Sequence, residues 1–115
     1  MLIIDPETNT IDTTSITGLR TASSMWHGGV LARNGKIYGI TFNNIDSVLI
    51  IDTETNTADT TTITGLNGGV QYGGGVLAPN GVIYGIPLNK DSVLRIKTGL
   101  PKYPDWMLQS HFYKF

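Results

Sequence analysis

Residues 2–19 read LIIDPETNTIDTTSITGL and residues 49–66 read LIIDTETNTADTTTITGL, so three of 18 positions differ at an offset of 47. A second block follows the same rule. Residues 28–40 read GGVLARNGKIYGI and residues 74–86 read GGVLAPNGVIYGI, with two of 13 positions different at an offset of 46. Ser47-Val48-Leu49 returns as Ser92-Val93-Leu94. Self-similarity at this spacing identifies a repeat architecture, in which one unit cannot bury its apolar surface alone and relies on stacked neighbours. The offset shrinks between Leu66 and Gly74 and again between Ile86 and Ser92, both polar or glycine-rich stretches where loops absorb length changes.

One period divides into four short strands. Gly29–Ala32 is apolar and ends at Asn34-Gly35, a strong hairpin signal. Lys36–Ile40 is the second strand, Thr41–Asp46 a polar loop, and Ser47–Asp52 the third strand, rich in β-branched residues. Thr53–Asp59 reads as a turn and Thr60–Thr64 as the fourth strand, closed by Gly65. With these strands called a, b, c and d, the chain runs c-d, a-b-c-d, a-b-c. No helical period appears before residue 99. A period near 46 containing four antiparallel strands is the pattern of a β-propeller blade. The expected fold is therefore all-β, with propeller-like blades of four antiparallel strands over residues 1–100 and an aromatic tail over 101–115.

The stretches SVLIIDTETNTADTTTI and GGVLAPNGVIYGI resemble the YVTN-type β-propeller repeat family from Leu2 to Lys97. That family places an Asp-Thr-x-Thr-Asn-Thr turn between its last two strands. Here Tyr38-Gly39-Ile40-Thr41 stands where the Tyr-Val-Thr-Asn tetrapeptide would. The resemblance implies a fold and no particular activity, since propellers host many functions.

Nine strands make about 2.25 blades, whereas propellers have about 4–8. The ring is incomplete, and three explanations follow. Copies of the chain complete a ring as a homo-oligomer, the chain is a fragment or subunit of a larger propeller, or the tail caps an open stack. Joining c-d to a-b-c leaves one c strand too many. The third c strand is also different. Where Ile3 and Ile50 stand in the first two copies, the third carries Arg95, followed by Lys97, so that face meets a different surroundings or a different partner. The tail PKYPDWMLQSHFYKF holds five of the ten aromatic residues. Trp106, Leu108, Phe112 and Phe115 form a capping or docking surface, either on a short helix after Asp105 or on a last strand. Arg95, Lys97 and these four residues are the assembly candidates.

Chemistry is sparsely encoded. With 8 basic and 9 acidic residues the net charge is −1, which gives no basic excess for nucleic acid. There is no cysteine, which excludes disulfides, thiol nucleophiles and cysteine-ligated metals. No apolar run approaches the ~18 residues of a membrane span, and no secretory leader is visible, so a cytoplasmic chain with no membrane insertion is expected. Ser23, Ser24, His27 and Asp46 offer a Ser-His-Asp set in composition only. Asp5, Glu7, Asn9 and Asp12, and again Asp52, Glu54, Asn56 and Asp59, alternate oxygen ligands as a cation site does, but equally as an Asx-type turn does. The expectation is no enzyme, no cofactor and no metal. Binding falls to the d–a and b–c loops at one end of the repeats. They carry Arg20, Trp26, His27, Asn43, Asn44 and Asp46 in one copy and Tyr72, Asn89, Lys90 and Asp91 in the next. Trp26 and Tyr72 are the aromatic anchors of such a site, which suits a glycan, as in a lectin-like carbohydrate binder, or a peptide.

Overall fold

The computed structural model describes residues 1–19, 21, 25–43, 45–66 and 71–99. Within them the protein is all-β. Nine strands occur: β1 (Ile3–Asp5), β2 (Thr10–Asp12), β3 (Trp26–Leu31), β4 (Ile37–Thr41), β5 (Leu49–Asp52), β6 (Thr57–Asp59), β7 (Tyr72–Leu77), β8 (Ile83–Pro87) and β9 (Leu94–Ile96). They form three antiparallel meanders: β1-β2, β3-β4-β5-β6 and β7-β8-β9. The 46-residue repeat is thus a repeat of sheets.

The last strand of each unit lies earlier than its sequence suggests. Thr57–Asp59, and not Thr60–Thr64, forms β6. Two side chains decide this. Asn56 adopts φ +53°, so the chain reverses within Thr53–Asn56 and the return strand begins at once. The Asp59 carboxylate then accepts the backbone N–H of Thr61 at 2.7 Å and of Thr62 at 3.2 Å, which takes both donors away from a ladder. Asn9 at φ +54° and Asp12 repeat the device after β1.

Pairing register sorts the side chains of the four-stranded sheet onto two faces. Val30 lies opposite Tyr38, and Tyr38 opposite Ile50. Directly opposed residues share a face, so these three, with Ala32, Ile40 and Val48 by alternation, make a valine face. Gly29, Leu31, Ile37, Gly39, Leu49 and Ile51 make the other, a glycine face. The three-stranded sheet repeats the arrangement. Val76, Tyr84 and Arg95 lie on its valine face, and Gly75, Leu77, Ile83, Gly85, Leu94 and Ile96 on its glycine face.

The core is one valine face against the next glycine face. Val30, Ala32, Tyr38, Ile40, Val48 and Ile50 pack with Tyr72, Ile83 and Ile96. Gly75 sets the spacing: a Cβ there would lie 3.0 Å from both Cγ1 and Cδ1 of Ile40, so the isoleucine sits directly on bare backbone. Each first strand carries an irregularity between its aromatic residue and this glycine, at Trp26/Gly29 and at Tyr72/Gly75. Gly28 and Gly74, both with positive φ, absorb it. The β3–β4 and β7–β8 turns also match. Asn34 Oδ1 accepts the Lys36 N–H, and Asn80 Oδ1 accepts the Val82 N–H, each at 3.0 Å.

Candidate functional site

The loop end of the sheets brings together part of the expected binding set. Trp26 is half-buried, and its indole N–H donates to the carbonyl of Ser47 at 2.9 Å. The same carbonyl accepts the Thr41 hydroxyl at 2.7 Å. Trp26 therefore ties β3 to the entry of β5, with its polar tip already engaged. His27 is exposed, its ring 5.1 Å from that of Phe42 and tilted by 49°. Tyr72 is 6% exposed and belongs to the core. Asp46, Asn89 and Asp91 are exposed, and the Asp46 carbonyl accepts the N–H of Leu66. Arg20, Ser23, Ser24 and Asn44 lie outside the described residues, as do Trp106, Leu108, Phe112 and Phe115 of the tail.

Gln71 links these loops, and nothing in its sequence context marks it. It is fully buried, donates from Nε2 to the Ile45 carbonyl at 2.6 Å, and through its backbone N–H to Phe42 at 2.7 Å. Its own carbonyl accepts from Leu88 at 2.9 Å and Asn89 at 3.4 Å. Position 71 holds Met25 in the preceding copy, also buried, so the sites are equivalent in burial but not in polarity.

The acidic turns spend their oxygens locally. Asp5 Oδ1 accepts the Glu7 N–H at 3.0 Å, and Asp52 Oδ1 that of Glu54 at 2.9 Å. Asp12 accepts the Thr14 and Ser15 N–H groups at 2.8 and 3.0 Å, together with the Ser15 hydroxyl. These bonds favour the ionised carboxylate. The Ser15 hydroxyl foremost, then the backbone N–H groups, lower Asp12 to about 2. The Thr62 hydroxyl, then the Thr61 N–H, do the same to Asp59. Among the described residues no three histidine or acidic side chains converge as metal ligands.

An apolar concavity lies elsewhere. A cleft of about 700 Å³ opens between the β1 segment and the glycine face of the four-stranded sheet. Met1 to Ile4 and Ile16 form one wall, and Gly29, Gly39, Ile37, Leu49 and Ile51 contribute to the other. The Met1 ammonium donates to the Ile16 carbonyl at 3.1 Å and holds the first wall in place. The floor is apolar because the two glycines remove side chains where Ile37 and Leu49 flank them.

Apolar side chains also stand in water on β1-β2 and on the three-stranded sheet. Leu2, Ile4 and Ile11 are 59–70% exposed on one face of β1-β2. Val76, Ile86 and Val93 are 58%, 49% and 52% exposed on the valine face of the three-stranded sheet. Arg95 and Lys97 are exposed there as well. Compared with known proteins, the chain matches no family model, no curated protein and no solved structure. Its class is set by the fold alone: an all-β chain of repeated antiparallel meanders. Among the described residues no helix is long and apolar enough to cross a membrane.

Proposed function

We propose that this chain is a non-catalytic β-propeller repeat module, a scaffold for binding and assembly that completes its fold by associating with further copies of itself. One observation carries the reading. Val30, Ile40 and Val48 are 8%, 0% and 0% exposed, whereas their repeat equivalents Val76, Ile86 and Val93 are half exposed or more. The same residues in the same register are core in one sheet and bare in the next. Covering such a face recovers about 1.5–3 kcal/mol for each large aliphatic side chain taken fully out of water. An exposed apolar face of this kind marks a contact surface. The four-stranded sheet is the pattern of one blade, and the sheets stacked on it extend the same order.

Light scattering tests this reading. The expected mass is a small multiple of 12.5 kDa at micromolar concentration. A particle that stays at the single-chain mass up to high concentration overturns it.

A further inference from the structure

Resting on the self-association reading, we propose how two copies join: the β7-β8 hairpin of one copy enters the β1 cleft of another and pairs with β1 in place of its own β9. One four-stranded sheet then forms as β7-β8 from one copy and β1-β2 from its neighbour.

Register supplies the first argument. In the complete sheet Gly39, Tyr38 and Ile37 of β4 lie opposite Leu49, Ile50 and Ile51 of β5. In the three-stranded sheet Gly85, Tyr84 and Ile83 of β8 lie opposite Leu94, Arg95 and Ile96 of β9. Leu2 and the first two residues of β1, Ile3-Ile4, repeat the Leu49-Ile50-Ile51 of β5. Strand β1 therefore fits the edge of β8 with Ile3 opposite Tyr84, in the register the fold already uses. Among the described residues β1 pairs only with β2, so its other edge is open to receive a strand.

Packing supplies the second. Within the chain, Ile40 of the valine face rests on Gly75 of the next glycine face. The cleft is lined by Gly29 and Gly39, the glycines equivalent to Gly75 and Gly85, whose nearest side chains are Ile37 and Leu49 of their own sheet, with a Cβ at Gly29 3.1 Å from Ile37 Cγ2 and one at Gly39 3.1 Å from Leu49 Cβ. Ile86 is the equivalent of Ile40 and is half exposed. An entering β7-β8 hairpin sets Ile86 over Gly29 as Ile40 sits over Gly75. In the same arrangement Leu2 and Ile4 of β1 take the seats that Leu94 and the buried Ile96 occupy now. Five exposed aliphatic side chains on two separate faces (Leu2, Ile4, Ile11, Val76 and Ile86) are thereby covered by one contact.

Strand β9 is the weaker occupant. It is no longer than β1, places an arginine where β1 and β5 have isoleucine, and among the described residues has no fourth strand paired to it. Its departure gives up the bond from Asn34 Nδ2 to the Thr98 carbonyl, 3.1 Å. Charge assists the approach. Residues 1–19 carry Asp5, Glu7 and Asp12 with no lysine or arginine, whereas residues 87–99 carry Lys90, Arg95 and Lys97 against Asp91. Each copy then contributes two full sheets, and a ring of about 4–8 sheets takes two to four copies.

The chain has no cysteine, so engineered thiols report the pairing without background. In the double variant Ile3→Cys, Tyr84→Cys, opposed positions across an antiparallel pair lie within disulfide range. Oxidised glutathione is expected to link copies into a covalent oligomer of two to four chains on a non-reducing gel. The comparison variant Tyr84→Cys, Arg95→Cys is expected not to link within one copy in the oligomer. Ile86→Lys alters an exposed side chain, so its circular dichroism should match the parent while its mass falls to that of one chain. An oligomer in which Tyr84→Cys links to Arg95→Cys within a copy, and Ile3→Cys links to nothing, overturns strand exchange while self-association stands. An oligomer unchanged by Ile86→Lys overturns it equally. A parent protein that is monomeric overturns both readings.

Discussion

Asp12 and Asp59 show how much a single short side chain settles here. Each follows an asparagine in the left-handed region, and each accepts the two N–H groups and the two hydroxyls of the residues two and three positions on. Those donors favour the charged carboxylate, so both groups titrate near 2 in the fold instead of near 3.8. A carboxylate whose pKa is lower in the folded state adds stability above its unfolded pKa and loses it as pH falls through the folded one. Stability should accordingly decline between about pH 4 and pH 2 from these two turns. Urea midpoints measured across that range check it. The double variant Asp12→Asn, Asp59→Asn should show a flatter profile, and an identical profile would remove these groups from the account. At this scale the sequence was legible in part. The alternating Asp, Glu and Asn positions pointed to a turn or to a cation site, and only the left-handed asparagines and the hydrogen bonds distinguish the two.

At the scale of the element, equivalent strands carry equal sequences and unequal burdens. Strands β4 and β8 share Ile-Tyr-Gly-Ile, yet the four-stranded sheet buries Ile40 on its valine face while the three-stranded sheet leaves Ile86 open. Ile83, on the glycine face of β8, is fully buried in the core. Truncating Ile83→Ala should cost about 2–5 kcal/mol, the range for a buried isoleucine that leaves a cavity. Ile86→Ala should cost less than about 0.5 kcal/mol in the separated chain, as surface changes do. Chemical denaturation of both variants at low concentration gives the comparison, and equal losses would contradict the placement of the two faces. The repeat predicted the strands that pair around Asn34-Gly35 and Asn80-Gly81. It misplaced the fourth strand because threonine-rich Thr60–Thr64 has strand propensity, and propensity yields when a side chain captures the backbone donors that a ladder needs.

The described residues leave apolar side chains exposed on β1-β2 and on the valine face of the three-stranded sheet, and whatever covers those faces adds stability. If copies cover each other, the unfolding temperature must rise with protein concentration, because mass action couples association to folding. Calorimetry over a hundredfold range of concentration should show that rise, and it should vanish in Ile86→Lys. A temperature independent of concentration in the parent would place the stabilising contact within one chain. Of the loop residues proposed for ligand binding, Tyr72 is committed to the core, and Trp26 is half-buried with its N–H bonded to Ser47. Their aromatic character was plain in the sequence, but their burial depends on how one sheet lies on the next. The amino-acid sequence by itself determined the all-β character, the repeat and the alternation of side chains between two faces, because these follow from local period and turn chemistry. Arg95 in place of Ile50 marks the third repeat in the sequence, but which of two otherwise equivalent faces becomes core, and where a cleft remains beside β1, was decided only in the tertiary structure. Burial is a property of what lies opposite, and residues with the same local sequence meet different neighbours at different places in the stack.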